Sequence, residues 1–163
     1  MRIGILSDTH DKIARTNLAI RLLADAGAEL LIHCGDLTRP EIVEEFAALK
    51  TYFVFGNNDY DESGLRRVIN LVGGICLERA GEITLGGKRI AVTHGDSSRE
   101  VDRLAALDPD YLFFGHTHLA TDSREGCTRY INPGALHRAS DYSVALLDLE
   151  SDELRMLPIR HGG

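Results

Sequence analysis

Five apolar segments of strand length in this chain are each followed at once by a short polar loop. The segments are residues 3–6, 30–32, 52–55, 90–92 and 111–114. Continuous apolar runs of this length are typical of parallel strands that are covered on both faces. In an open α/β sheet, the loops at the carboxyl ends of the strands meet in one crevice. The five loops are therefore predicted to lie together in space, although they extend from residue 7 to residue 118.

The polar loops contain carboxylates, imidazoles and amides, a mixture that divalent cations accept as ligands. The loops are Ser7-Asp8-Thr9-His10, Gly35-Asp36, Gly56-Asn57-Asn58-Asp59, Thr93-His94-Gly95-Asp96 and Gly115-His116-Thr117-His118. The two histidines of the last loop are two positions apart, and on an extended segment both side chains of such a pair point the same way. Together the five loops predict a two-metal centre.

Each loop taken singly has an ordinary explanation. Asp8 or Asp36 alone is also typical of a helix cap, and Asn57 and Asp59 are also typical of turns. The pair of histidines in the last loop is compatible with an exposed surface loop as well. The metal centre is favoured because the ordinary explanation requires five coincidences in the same chain.

Composition and charge narrow the class of protein further. The chain has 163 residues, which fits one domain over 1–163, and its formal net charge of −7 argues against a general nucleic-acid surface. No apolar run approaches the ~20 residues that cross a bilayer, and Asp8 comes too early for a signal peptide. Cys34, Cys76 and Cys127 have no CxxC spacing, so reduced thiols are predicted and Cys34 is expected to serve packing. We expect a cytoplasmic protein with no membrane contact, and a homo-oligomer is left open.

Apolar periodicity and turn residues predict the remaining elements. Helices are predicted from residue 14 to Gly27, from Pro40 to Leu49, over 65–72, and from Ser97 or Ser98 to Pro109. Further strands are predicted at 75–77, 81–85 and 88–93, and a mostly antiparallel set at 120–124, 128–131, 142–149 and 153–159. The predicted fold class is α/β: a two-sheet αββα sandwich with the metal site at the carboxyl ends of the strands.

The ordered motifs of the loops resemble those of the calcineurin-like metallophosphoesterases. They are D-x-H at 8–10, G-D at 35–36, G-N at 56–57, H-G at 94–95 and G-H-x-H at 115–118. The short chain and its Asn132-Pro133-Gly134 turn resemble the small prokaryotic phosphodiesterase branch, which is related to the retromer scaffold subunit of eukaryotes. The resemblance implies two ligand sets that share one carboxylate: Asp8, His10, Asp36 and His118 for one cation, and Asp36, Asn57, His94 and His116 for the other.

The function implied by the resemblance is a metal-dependent phosphodiesterase that acts on a small phosphate ester. Two cations about 3.5–4 Å apart can generate a bridging hydroxide as the nucleophile and neutralise charge on the ester. Asp36 and His94 are the expected catalytic positions, and Mn²⁺ is the first choice of metal, with Fe, Zn or Ni compatible. A non-catalytic scaffold of the retromer type and a phosphomonoesterase or nucleotide hydrolase are the alternatives. All seven ligand positions hold competent side chains, which favours catalysis.

One position departs from the family motif. Many members have a histidine after the G-N pair that can protonate the leaving group, and here the residue is Asn58. Its amide has no acidic proton at neutral pH, although it can donate a hydrogen bond to a phosphoryl oxygen. Asn58 and Arg138 are therefore the predicted substrate contacts, and good leaving groups such as aryl esters are expected to be preferred.

Three further histidines are not predicted to be metal ligands. His137 follows the Asn-Pro-Gly turn and is a weaker candidate than Arg138 for approaching the site from the C-terminal sheet. His33 is expected in the core at a strand end, and His161 in a frayed tail.

Overall fold

The computed structural model describes residues 1–160, and His161 lies outside the described residues. Its first sheet consists of six strands, which run across the sheet in the order β11 (Glu153–Pro158), β10 (Ser143–Asp148), β1 (Arg2–Leu6), β2 (Leu30–His33), β3 (Thr51–Phe53) and β4 (Ile75–Cys76). Strands β1 to β4 are parallel, and β10 pairs antiparallel with β1 and β11. The carboxyl ends of β1, β2 and β3 therefore share one edge of this sheet.

The second sheet consists of five strands in the order β5 (Ala80–Leu85), β6 (Lys88–Thr93), β7 (Tyr111–Phe113), β9 (Thr128–Asn132) and β8 (Thr121–Glu125). The outer pairs β5–β6 and β8–β9 are antiparallel hairpins. Strands β6, β7 and β9 are parallel. The last predicted set is mostly antiparallel, as expected, through β8–β9 and β10–β11, although β9 also has the parallel neighbour β7. A two-residue turn at Gly86-Gly87 joins β5 to β6, as predicted.

Four helices accompany the sheets within residues 1–160: α1 (Ile13–Asp25), α2 (Pro40–Glu44), α3 (Glu62–Leu71) and α4 (Ser98–Ala105). Helix α4 begins after Ser97, whose side chain accepts a hydrogen bond from the Glu100 amide. Helix α3 starts earlier than its apolar spacing predicted because the Asp61 side chain caps it. Helix α2 is shorter than predicted.

The chain beyond α2 tightens into turns with i→i+3 hydrogen bonds, from Phe46 to Val43 and from Ala47 to Glu44. Phe46 is still only 1% exposed. Ile42, Val43 and Phe46 therefore pack in the core although the regular helix ends at Glu44, whereas Ala47 is exposed.

Two sheets packed face to face with helices outside form the predicted αββα sandwich, which the structure confirms. Side chains that alternate along β1 show the division, because Ile3 and Ile5 join the cluster between the sheets whereas Leu6 joins the cluster under α1 to α3. Helix α4 covers the outer face of the second sheet through Leu104. The fold thus brings the carboxyl ends of β1, β2, β3, β6 and β7 to one side of the sandwich.

None of the helices described over residues 1–160 is both long enough and apolar enough to cross a membrane.

Candidate metal centre

Asp8 is a fully buried carboxylate directly after β1, and its two oxygens have different partners. Oδ2 accepts hydrogen bonds from the Ser7 hydroxyl at 2.6 Å and from the His116 amide at 3.1 Å. Oδ1 lies 3.0 Å from Nε2 of His118 and 4.0 Å from Nε2 of His94. The Ser7 and His116 contacts therefore hold the carboxylate with one oxygen facing two imidazoles.

The His118 ring is held in one orientation from its other side. Its Nδ1 lies 3.1 Å from the backbone carbonyl oxygen of Arg138, which can only accept a hydrogen bond. Nδ1 therefore carries the proton, and in the neutral ring Nε2 presents a lone pair to Asp8. A lone pair and a carboxylate oxygen 3.0 Å apart need a proton or a cation between them.

His94 repeats this arrangement at the end of β6. Its Nδ1 lies 2.8 Å from the Cys34 carbonyl oxygen, while its buried Nε2 lies 3.5 Å from Oδ2 of Asp36. Nε2 has no hydrogen-bond partner among residues 1–160. Burial lowers the pKa of His94, but Asp36 and Asp8 outweigh burial and raise the pKa to about 9. A proton thus takes the place between the imidazole and the carboxylates when no cation is bound.

His10 reaches the same carboxylate from the first loop. Its Nε2 is buried without a hydrogen-bond partner in the described part of the chain, and it lies 3.4 Å from Oδ2 of Asp36. Burial lowers the pKa of His10 despite the nearby Asp36 and Asp8 carboxylates. The neutral imidazole is the form that binds a metal ion.

Asp36 follows β2 and is 2% exposed. The backbone amide of Asn58 donates to its Oδ1 at 2.9 Å, and the Asn58 side-chain amide donates to its Oδ2 at 2.7 Å. Burial raises the pKa of Asp36, but contacts with His94 and Asn58 outweigh it and hold the pKa well below the usual range. In the structure Asn58 therefore contacts Asp36, and its predicted substrate contact stays a prediction.

The site contains two compact groups of three residues. In each group, one nitrogen or oxygen atom from every residue lies within 4.8 Å of the corresponding atoms of the other two. The groups are Asp8, His10 and His118, and Asp8, Asp36 and His94. Imidazole nitrogens and carboxylate oxygens suit Mn, Fe, Ni and Zn. Two orphaned buried imidazole nitrogens beside carboxylates fit a divalent cation. The two groups share Asp8, whereas the sequence-based ligand sets share Asp36.

The remaining predicted site residues line the open side of this centre. Asn57 and His116 are exposed, and the His116 ring lies 5.2 Å from the His94 ring, measured between centroids. They border a cavity of about 330 Å³ whose other lining residues are His10, Asp36, Asn58, His118, His137 and Arg138. The structure thus brings all seven predicted ligands and both predicted substrate contacts to one place.

His137 also reaches the cavity, as the weaker expectation proposed. Its ring centroid lies 4.2 Å from that of His10. Burial and the nearby His10 and Lys12 lower the pKa of His137. His137 is therefore placed at the mouth of the site beside a proposed ligand.

Backbone strain concentrates in the loops of the centre. Five of the proposed ligands have φ between 46° and 63°, in the left-handed region that non-glycine residues rarely adopt: Asp8, His10, Asp36, His116 and His118. The assumption of an extended segment for the H-x-H pair was therefore wrong. His118 faces Asp8 while His116 lies beside His94, so the two side chains serve different parts of the centre.

Two glycines of the motifs are required by close packing. A Cβ on Gly115 would collide with the Ser7 hydroxyl and lie 2.7 Å from Oδ2 of Asp8. A Cβ on Gly56 would collide with the Asp36 carboxylate. Glycine before the ligand loops thus lets backbone and carboxylates approach each other.

Some supporting residues were missed by sequence reasoning. Asn132 donates to the Gly115 carbonyl at 2.8 Å and to the Thr117 hydroxyl at 3.0 Å, so it anchors the G-H-x-H loop. Ser7 also has a supporting role, because its hydroxyl donates to Oδ2 of Asp8 and orients the carboxylate. The Asn-Pro-Gly turn was a usable signal for Asn132, whereas nothing in the sequence distinguishes Ser7 from an ordinary loop serine.

The buried residues beside the centre behave as predicted. His33 is fully buried, its Nδ1 accepts a hydrogen bond from the Gly35 amide at 3.1 Å, and its Nε2 lies 3.0 Å from the Thr9 hydroxyl. Burial, together with the charge of His94, lowers the pKa of His33 to about 3. Cys34 is buried in the core between the sheets, and burial raises the pKa of its thiol. Neither side chain belongs to the ligand groups.

The fold and the site together define a metal-binding α/β sandwich whose ligands come from the carboxyl ends of strands in both sheets. Residues 1–152 match the family model described as the calcineurin-like phosphoesterase superfamily domain, and the chain belongs to this superfamily. Membership supports a metal-dependent phosphoesterase and implies divalent metal ions at the ligand groups.

Individual relatives agree with this placement. A phosphodiesterase of Methanocaldococcus jannaschii is 28% identical over 162 residues, which cover 95% of this chain and 97% of the relative. The solved structure of an archaeal phosphodiesterase superposes with a TM-score of 0.89 at 28% identity and covers 97% of this chain and 99% of its own. A Zn²⁺ complex of Vps29 from Entamoeba histolytica has a TM-score of 0.69 at 19% identity, covering 100% of this chain and 95% of its own, and shows the shared fold alone.

Proposed function

We propose that the protein is a metal-dependent phosphodiesterase with a two-cation centre at the junction of the two sheets. One observation carries the proposal. The His94 Nδ1 proton is directed to a backbone carbonyl, and its buried Nε2 lies between the carboxylates of Asp36 and Asp8 at 3.5 and 4.0 Å. A second partner that fixes the tautomer is typical of a histidine whose free nitrogen binds a metal ion.

The proposed ligands are the two sets implied by the motifs. They are Asp8, His10, Asp36 and His118 for one cation, and Asp36, Asn57, His94 and His116 for the other. The compact group of Asp8, His10 and His118 supports the first set, whereas the group of Asp8, Asp36 and His94 joins members of both sets. When bound, two divalent cations, with Mn²⁺ preferred over Fe, Zn or Ni, would supply an activated water as the nucleophile and neutralise charge on the ester.

The protein's own groups prepare the site for a small anionic substrate. Arg138 is exposed at the cavity rim, where its guanidinium is suited to hydrogen-bond phosphate oxygens in pairs. The Asn58 NH₂ group donates one hydrogen bond to Oδ2 of Asp36, and its second N–H is the donor that a phosphoryl oxygen would accept from. A cavity of about 330 Å³ is large enough for a small phosphate ester.

The site has no evident general acid at residue 58 to assist departure of the leaving group. Asn58 lacks an acidic proton, and general-acid assistance is typically worth about 10²–10⁴-fold in rate. Aryl phosphodiesters should therefore be cleaved faster than alkyl ones, with a steep fall in rate as the leaving-group pKa rises. A flat dependence across a series of substituted phenyl esters would show that another group supplies the proton.

Two alternatives use the same centre differently. A non-catalytic scaffold is kept because the fold is shared with Vps29 and because Asn58 replaces the expected acid. All seven ligand positions hold competent side chains, which favours catalysis over a scaffold whose metal site has decayed. A phosphomonoesterase or nucleotide hydrolase would differ in the shape of the substrate cavity alone.

The decisive experiment assays metal-stripped protein on aryl phosphodiester and aryl phosphomonoester substrates, with Mn²⁺, Ni²⁺, Zn²⁺ or Mg²⁺ added back singly. Restored turnover with a preference for the diester is expected, strongest with Mn²⁺. Asp36→Asn and His94→Ala should lose nearly all turnover while staying folded. Asp11→Asn, a change at an exposed carboxylate of the first loop, should keep it. A folded protein that no metal activates would favour the scaffold.

We also propose, from the sequence, that the protein is cytoplasmic, and we leave a homo-oligomer open. Cys34, Cys76 and Cys127 are free thiols in the structure, which supports a reducing compartment.

A further inference from the structure

Asp59 is a buried carboxylate in the third loop that is absent from both ligand groups. It is 1% exposed, and both of its oxygens accept hydrogen bonds from backbone amides. Oδ2 accepts from the amides of Asp36 at 2.9 Å and Gly56 at 2.7 Å, and Oδ1 accepts from the amide of Thr38 at 2.6 Å. The side chain therefore joins the loop after β3 to the loop after β2.

The loop that Asp59 holds has an unfavourable backbone conformation. Asp36 has φ 61° and Thr38 has φ 68°, and Thr38 is β-branched, so the left-handed region is strained there. Such a conformation persists only where surrounding contacts determine it. Asp59 supplies hydrogen-bond acceptors for the amides of both strained residues.

The same loop supports the ligands that come from β1. The Asp8 amide donates to the Gly35 carbonyl at 3.0 Å, and the His10 amide donates to the Asp36 carbonyl at 2.9 Å. A shift of the loop after β2 would therefore displace Asp36 directly and would move Asp8 and His10 through these two bonds.

We propose that Asp59 is a positioning residue of the metal centre, which sets the spacing among Asp36, Asp8 and His10 without binding the cation itself. This inference rests on the proposed function, because it assigns Asp59 to the same centre. An ordinary turn residue would bond within its own loop. Two of the three bonds of Asp59 instead reach residues 23 and 21 positions away.

The test compares two substitutions of the same chemistry that lie two positions apart. Asp59→Asn leaves one acceptor oxygen, so its NH₂ group must face a backbone amide of Asp36, Gly56 or Thr38. Asp61→Asn is the matched control, because Asp61 also accepts from a backbone amide, that of Gly64 at 2.9 Å, but holds helix α3 instead of the ligand loops. Asp59→Asn should unfold at a lower temperature than the wild type, whereas Asp61→Asn should change little because Asn caps a helix as well as Asp does.

The readout is the Kd for Mn²⁺ by titration calorimetry without substrate, beside the thermal unfolding of the metal-free proteins. Asp59→Asn should weaken Mn²⁺ binding by about 10–100-fold, as loss of a residue that orients metal ligands typically does. Asp61→Asn should stay within about twofold of the wild type. A loss of affinity in Asp59→Asn no greater than in Asp61→Asn would overturn the inference.

A second measurement needs no variant and covers the case in which Asp59→Asn fails to fold. In the metal-free wild type, the amides of Asp36, Gly56 and Thr38 should exchange slowly with deuterium because Asp59 accepts from all three. Exchange of these amides at the rate of an exposed loop would overturn the inference. If the wild type binds none of Mn²⁺, Ni²⁺, Zn²⁺ and Mg²⁺, the proposed function fails, whereas slow exchange would still show that Asp59 fixes the loop.

Discussion

Nε2 of His118 lies 3.0 Å from Oδ1 of Asp8, although 110 positions separate the two residues in the chain. The Arg138 carbonyl accepts from the other nitrogen of the ring, so the neutral imidazole meets the carboxylate with a lone pair. His94 and Asp36 form a second imidazole–carboxylate pair, with Nε2 of His94 at 3.5 Å from Oδ2 of Asp36. Two such pairs in one buried centre are the structural basis for expecting a cation there.

Mn²⁺ binding is expected to release protons and to weaken as the pH falls. Asp36 and Asp8 overcome burial and raise the pKa of His94 to about 9, so at pH 7 the ring is protonated in the metal-free protein. A cation must displace that proton, and a lower pH strengthens the competition, by up to about tenfold in affinity per pH unit for one proton. Calorimetry in buffers of different ionisation enthalpy between pH 6 and 9 measures the release. A Kd that is constant over this range would contradict the assignment of His94 as a ligand.

The stability of the metal-free protein should fall as the pH is lowered below about 6.5, partly through His33. Burial and the charge of His94 lower its pKa to about 3 from an ordinary 6.5. Between these values the unfolded chain binds a proton that the folded chain does not, so lowering the pH favours unfolding by up to about 1.4 kcal/mol per pH unit. Above pH 6.5 both states are neutral and His33 contributes no slope.

The measurement for His33 is urea unfolding of the wild type and of His33→Asn at pH 5.0 to 7.5. Asn can still accept from the Gly35 amide and does not titrate, but it is too short to keep the contact of the ring with the Thr9 hydroxyl. The variant should therefore be less stable at pH 7 by about 1–3 kcal/mol. The difference in unfolding free energy between the two proteins should shrink as the pH falls from 6.5. Parallel curves would assign the acid sensitivity to other groups.

Gly115→Ala adds only one methyl group, but we expect it to disrupt the metal centre. The added methyl group would collide with the Ser7 hydroxyl and approach the Asp8 carboxylate. We expect a loss of stability of about 1–3 kcal/mol and at least a tenfold weaker Kd for Mn²⁺. Gly126→Ala is the control, because at φ 58° it carries backbone strain while its Cβ would meet no described atom within 4 Å. Equal effects on Mn²⁺ binding in the two variants would show that the packing of Gly115 is unimportant.

Asn58→His should selectively speed the cleavage of esters with poor leaving groups. The new imidazole can supply a proton that the amide cannot, and the gain for alkyl esters should approach the ~10²–10⁴-fold of general-acid catalysis. Aryl esters should change little or become slower, because the variant loses the side-chain bond from Asn58 to Asp36. The ratio of alkyl to aryl turnover at saturating metal tests this. An unchanged ratio would mean that residue 58 does not reach the leaving group.

Much of the fold could be predicted because short apolar runs indicate buried strands. Segments 3–6, 30–32 and 90–92 lie in strands of the sandwich, segment 111–114 extends one residue beyond β7, and Ser97 caps α4 as its sequence indicated. Pairing was harder to predict, because β9 lies parallel to β7 although it also forms a hairpin with β8. Short turns identify the hairpin neighbour of a strand, but its other neighbour depends on which strand edge remains free.

The arrangement within the centre was less accessible from the sequence. The loops were predicted to meet, but their left-handed backbone was not, and neither were the roles of Asp59 and Asn132. These two residues act through backbone amides and carbonyls of other loops. Nearly every residue has a backbone amide and a carbonyl. The residue types and their spacing therefore do not indicate which of these groups a side chain will contact.

The sequence by itself determined the types of ligand, their order and their place after buried strands, because strand burial and ligand chemistry are local properties of the chain. The tertiary structure alone decided which oxygen of Asp8 faces His118, that Asn58 donates to Asp36, and that Asp59 ties two loops together. Those contacts join residues far apart in the chain, and their geometry follows from how the two sheets pack and how the strained loops between them are held.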